Sequence, residues 1–219
     1  RAFTILSLLL SFLAHNSSVI AVDTLIYDSI SAQSDFSNTT PLNTSAEKLA
    51  QEFTASATLP LITQISMILS RDASATGTFD VSIYSKDATS GDPDQKVASV
   101  ASGYGVSSLS STPTAVDFTG LSINLGTANN YFVVFENFNG SFGINWSFLP
   151  GGSDPEPGLL PDDFDGSGWY QGTSDAAYLM SVSATAVPEP STYALMSIGM
   201  AVLCGIAQRR RMQKPQTKC

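Results

Sequence analysis

The 219-residue chain has two cysteines and one histidine, and all three lie near its ends. Cys204 falls in a C-terminal apolar run, Cys219 is the last residue, and His15 stands in an N-terminal apolar stretch. Between Val22 and Pro190 there is neither residue type, so no disulfide can staple that body. A Ser-His-Asp triad, a cysteine nucleophile and a zinc site built on His or Cys are excluded with it, which leaves carboxylates as the main catalytic route. Positive charge is nearly as scarce. The same span carries only Lys48, Arg71, Lys86 and Lys96 against all nineteen acidic residues, a net charge of −15. Nucleic acid is not a partner such a surface suits, because phosphate binding needs a basic patch, and anionic lipid is disfavoured for the same reason.

The ends are what the chain has in abundance. Arg1 precedes an apolar stretch from Ala2 to Ala14, and "SVIAVD" offers Val19 and Ala21 as a small-residue cleavage site. A basic residue, a short apolar core and a small-x-Ala site describe a secretory signal peptide, residues 1–21. At the other end, Tyr193 to Ala207 holds no charge and is apolar all round. A helix of about 15 residues covers roughly 22 Å, short of the ~30 Å hydrocarbon core, so snorkelling flanks or local thinning are needed for it to span. Arg209, Arg210 and Arg211 follow at once and fix that end in the cytoplasm, leaving the body outside.

Pro188-Glu189-Pro190, a short apolar helix and then three arginines resemble a PEP-CTERM sorting signal, residues 187–211. The resemblance implies a substrate of an exosortase, a membrane cysteine protease that removes the helix on the outer face of the inner membrane. Pro188, Glu189 and Pro190 are then the recognition motif, with Arg209, Arg210 and Arg211 as stop and orientation signal. The two prolines keep the motif extended and open to a protease. Residues 212–219 trail the arginines as a cytoplasmic tail.

The body, residues 22–186, reads as one all-β domain. Short alternating or apolar runs recur at 24–30, 49–55, 61–69, 78–85, 96–100, 115–120, 131–137, 141–148 and 177–185. Turn chemistry separates them, as in "SGDPDQ", "NLGTANN" and "NFNGS". In "TFDVSIYS", Phe79, Val81 and Ile83 share one face and Asp80, Ser82 and Tyr84 the other, while "YFVVFEN" is apolar on both faces and reads as central. The sum is a two-sheet β-sandwich of jelly-roll type, with a partly helical stretch over 45–52 as the rival for that segment. The order "LAQEF", "ITQISMIL", "FDVSIYS", Asp92-Pro93, "VDFTGLSINLGTANNYFVVFEN" and a late Trp146 strand also resembles choice-of-anchor R domains, which implies an exported surface or matrix component.

Three local candidates remain. In "PDDFDGSGWYQG", Asp163, Asp165 and Ser167 occupy positions 1, 3 and 5 of a calcium loop, with Gly168 at the turning position. The alternative is a solvated acidic turn. Trp169 and Tyr170, in the same loop, could stack against sugar rings, whereas Trp146 belongs in the core. Asp117, Glu136, Asp162 and Asp163 qualify by type alone for a glycosidase pair. The expected function is therefore structural or adhesive work near an exopolysaccharide, not catalysis and requiring no cofactor. A carbohydrate-binding module, calcium-dependent or not, is the alternative, and a carboxylate glycosidase the second.

Overall fold

The structure, a computed structural model, describes residues 22–31, 33–125, 129–141, 143–149, 161–165, 167–171 and 177–186, with 199–200 and 203–204 of the tail. The chain divides into two compact units, Arg1–Ala186 and Val187–Cys219. In the first, the described strands are β1 (Thr24–Asp28), β2 (Thr39–Leu42), β3 (Lys48–Thr54), β4 (Leu61–Arg71), β5 (Thr76–Lys86) and β6 (Pro93–Gly105). A 3-10 turn, Val106–Ser108, leads to β7 (Thr114–Asn124), β8 (Asn130–Ser141), β9 (Ile144–Leu149), β10 (Pro161–Phe164), β11 (Trp169–Gln171), β12 (Ala177–Tyr178) and β13 (Met180–Thr185).

Eight of these make two facing antiparallel sheets. One runs β2-β9-β4-β7 and the other β3-β8-β5-β6. The chain crosses between them at almost every connection, and this order is that of a jelly roll, as the strand pattern predicts. The alternation read from sequence becomes the inner surface of the second sheet: Phe79, Val81 and Ile83 of β5 are buried, as are Val133 and Phe135 of β8 and Leu49 and Phe53 of β3. Ile65, Met67, Leu69, Ile144 and Trp146 answer from the first sheet. The Phe135 ring stands edge-on to Phe79 at 4.7 Å and to Trp146 at 6.2 Å, and Trp146 stacks on Tyr178 at 4.6 Å, so aromatic contacts span the sandwich. β8 is central, between β3 and β5.

The remaining strands extend this frame. β4 and β9 pair only where Leu69–Arg71 meets Ile144–Trp146, and then part. The C-terminal strands fill the fork, β12 against β9 and β13 against β4. Between them Leu179 donates its N–H to Ser147 O at 2.8 Å and accepts from Ile68 N at 3.0 Å. The indole N–H of Trp146 also donates to Leu179 O, at 3.0 Å. β1 lines the outer edge of β13, and the β10–β11 hairpin extends the second sheet beyond β3.

Two readings are corrected. The helical rival over 45–52 gives way to β3, whose period of two sends Leu49, Gln51 and Phe53 inward and Lys48, Ala50 and Glu52 outward. "NFNGS" is no free turn but the end of β8. Its turn chemistry supplies a bulge, with Asn137 at φ 55° and a shift in register against Thr78 and Asp80. β6 runs to thirteen residues because its Ala, Ser and Gly positions pair along β5 without leaving an apolar trace in the sequence.

Candidate functional site

Outward positions on a sandwich strand normally face water, yet those at the centre of the second sheet do not. Ala50 of β3 and Phe132 and Val134 of β8 form a small buried cluster on this outer face, with Tyr84 of β5 and Trp169 of β11 packed against it. A buried carboxylate flanks it on each side: Glu136 and Glu52, each 2% exposed. Three of the body's four basic residues converge on these two acids. Lys48 Nζ lies 2.8 Å from Glu136 Oε2 and Lys96 Nζ 3.7 Å from its Oε1, while Lys86 Nζ lies 2.6 Å from Glu52 Oε1. In so acidic a chain this concentration of cations follows from burial, since a carboxylate out of water needs a partner and hydrogen bonds.

At the first acid, the Tyr84 hydroxyl also donates to Glu136 Oε2, at 2.8 Å. Burial pushes the Glu136 carboxyl up, but the hydrogen bonds from Lys48 and Tyr84, the nearby Ser82 hydroxyl and the Lys48 charge outweigh it, and the group is held below the usual carboxylate range. Ser82 acts there by proximity, for its hydroxyl and Glu136 Oε1 both lack a partner at hydrogen-bond geometry. The Tyr84 phenol moves the other way, raised by burial and then by the Glu136 hydrogen bond and charge. The Lys48 ammonium also sits over the Tyr84 ring at 5.4 Å and the Phe164 ring at 5.9 Å. Asp80, directly across from Glu136 on β5, feels burial upward but is lowered on balance by hydrogen bonds from Asn137, Gly103 N and Ser102 and by the Lys96 charge.

The second acid is built differently. Glu52 Oε1 accepts from Lys86 Nζ and from Asn130 Nδ2, both at 2.6 Å, and the Thr54 hydroxyl donates to Asn130 Oδ1 at 3.2 Å. Beside it lies an open hollow of about 560 Å³, lined by Lys86, Asp87, Thr89, Asn129, Asn130 and Tyr131 among others.

Of the residues singled out from sequence, Glu136 is one of the two buried acids of this face; the others fall elsewhere or only at the rim. Asp163 lies in β10, where its backbone pairs with Tyr170 and Leu49, and Asp165 and Ser167 lie in the hairpin turn. Asp165 Oδ1 accepts from both Ser167 N, at 2.8 Å, and Ser167 Oγ, at 2.7 Å, which closes a local turn. Among the described residues no three His, Cys, Asp or Glu gather closely enough to hold a metal ion. Trp169 is no free loop residue: it begins β11, half-buried, its ring 5.2 Å from that of Phe164. Trp146 is fully buried, as expected of it. Asp117 sits on β7 of the first sheet, its neighbours Val116 and Phe118 turned to the core, so it and Glu136 are on opposite outer faces of the sandwich and cannot share a cleft. Asp162 is a β10 residue opposite Ala50.

The sequence reading missed Lys48, Glu52, Tyr84, Lys86, Lys96 and Asn130 as a group. A signal was present, since Lys48, Ala50 and Glu52 repeat with period two, as do Phe132, Val134 and Glu136. Only the sheet order shows that these rows are neighbours.

Pro188, Glu189, Pro190, Arg209, Arg210 and Arg211 lie outside the described residues, as does the signal peptide, residues 1–21. Residues 199–200 and 203–204 are helical, and among the described residues no helix is long and apolar enough to cross a membrane. No curated protein and no solved structure matches the chain significantly. Residues 186–211 match the family profile described as the PEP-CTERM protein-sorting motif, a tail that marks a chain for export and for processing by an exosortase at the membrane.

Proposed function

We propose that this chain is an exported, non-catalytic sandwich domain that a processing protease frees from its tail, and that it works in a structural or adhesive role at the cell surface, near exopolysaccharide. The sorting motif at residues 186–211 carries the reading. The domain's composition agrees with it. A body of net charge −15 is soluble and self-repelling in its free form, and it suits a hydrated outer layer better than a nucleic acid or an anionic lipid surface.

The packing of Trp169 favours a structural role over a sugar-stacking one. Its ring leans on Phe164 and on the Ala50, Phe132 and Val134 cluster, which leaves less of its face for a ligand. In the acidic turn Asp165 Oδ1 accepts from Ser167 N and Oγ, which fits a self-contained turn.

The test is the intact mass of the protein recovered from membranes and from medium of the native cells. Material ending near Pro190 in the medium or outer layer is the expected result. Recovery of only the unprocessed chain, with residues 193–219 retained in the inner membrane, would overturn the reading.

A further inference from the structure

The Glu52 site holds a feature that no export signal accounts for: an amine, a carboxamide and a carboxylate from three adjacent strands meet at one oxygen. Lys86 Nζ and Asn130 Nδ2 each lie 2.6 Å from Glu52 Oε1, so the two nitrogens are within 5.2 Å of each other. The Thr54 hydroxyl donates to the opposite atom of the same carboxamide, Asn130 Oδ1, at 3.2 Å. Glu52 is 2% exposed, and the Lys86 side chain is 31% exposed. A plain ion pair needs only the lysine and the acid. Here the acid also orients an amide whose carbonyl oxygen has its own donor, which is the set of groups that acyl transfer to an amine requires.

We propose that Lys86 and Asn130 condense to an intramolecular isopeptide bond, with Glu52 as the proton carrier. Glu52 takes a proton from the Lys86 ammonium. The neutral amine then attacks Asn130 Cγ, forming the Nζ–Cγ bond and placing negative charge on Oδ1, where the Thr54 hydroxyl donates. Glu52 gives its proton to Nδ2 and takes one from Nζ as the Cγ–Nδ2 bond breaks. Ammonia departs, and with the proton left on Glu52 it leaves as ammonium. The balance is one lysine ammonium and one carboxamide in, one secondary amide and one ammonium out. No oxidant, metal or cofactor enters. The adjoining hollow, lined by Lys86 and Asn130, gives ammonia a way out.

The bond would tie β5 to β8 across the second sheet, next to their register pair Ser85–Tyr131. It would serve this domain as a disulfide serves others, since the body between Val22 and Pro190 has no cysteine to form one. The proposal is independent of the sorting tail and of any surface role.

Peptide mapping of the full chain, recovered from cells and digested after denaturation under reducing conditions, tests it directly. The expected result is a branched pair of peptides joined at Lys86 and Asn130, lighter than their sum by one ammonia, with no cleavage by trypsin at Lys86. Glu52→Gln, Lys86→Met and Asn130→Ala should each give the separate linear peptides. Their thermal midpoints should fall by about 10 °C, because a covalent tie between residues this far apart restricts the unfolded chain. Unmodified linear peptides from the wild-type chain would overturn the proposal even if all three variants failed to fold. Loss of ammonia confined to one linear peptide would overturn it too, since that marks asparagine cyclisation instead.

Discussion

Glu136 shows how a single residue sets a condition on the whole sheet. It is buried, it accepts from Lys48 and Tyr84, and Lys96 stands near its second oxygen. Its carboxyl is held below the ordinary value of 4.5, so the charged form contributes stability that is fully present above that pH and is lost as pH falls through the lower, folded value. Asp80, lowered as well, adds in the same direction. Thermal melts should therefore show the wild-type domain losing stability on acidification below pH 4.5. Glu136→Gln should be less stable than wild type by about 2 kcal/mol at neutral pH, because Lys48 and Tyr84 lose a charged acceptor, and its acid dependence should be shallower. A variant curve parallel to wild type down to acid pH would refute the assignment. Tyr84→Phe removes one donor only and should cost about 1–2 kcal/mol in urea unfolding.

Individual strands depend on positions where the chain approaches itself closely. Gly77 of β5 and Gly140 of β8 face each other in the register. A Cβ on Gly77 would run into the Asn139 carbonyl and one on Gly140 into the Thr76 carbonyl, and Gly77 has φ +112° besides. Gly140→Ala should cost about 3 kcal/mol or more by chemical denaturation, with the change in midpoint rather than in slope. Trp146 has the equivalent place in the first sheet. Its ring fills the core between Phe135 and Tyr178, and its indole N–H holds Leu179 where β12 and β13 enter the fork. Trp146→Phe keeps an aromatic ring but leaves Leu179 O without that donor and opens a gap; about 2–3 kcal/mol should be lost, and hydrogen exchange at the Leu179 and Ile68 amides should rise first.

For the whole molecule, the tail and the body make separate predictions. Replacing Glu189 by Ala in the sorting motif should leave the full-length chain in the membrane fraction of cells, with the melt of the extracted protein unchanged; processed protein in the medium at wild-type levels would contradict that role for Pro188-Glu189-Pro190. The body should melt at the same temperature with and without a thiol reductant, because between Val22 and Pro190 it contains no cysteine.

The sequence by itself determined the sorting tail, the all-β class and most of the strands. A tail is a linear signal, and the order of Pro-Glu-Pro, apolar run and arginines is complete within one stretch. Inward alternation is likewise local, so Phe79, Val81 and Ile83 could be placed on one face before any partner was known. It could not show that Thr39–Leu42 and Pro161–Phe164 are strands, since four residues carry too little periodicity to stand out. Nor could it find the Glu52 and Glu136 sites. Lys48, Lys86, Lys96, Glu52, Asn130 and Glu136 are scattered over nearly ninety positions; Glu136 stood out by residue type alone, and as isolated charges and amides the others read as solvated surface. Only the jelly-roll order, which sets β3, β8, β5 and β6 side by side, brings them onto one face, where burial turns separate charges into partners.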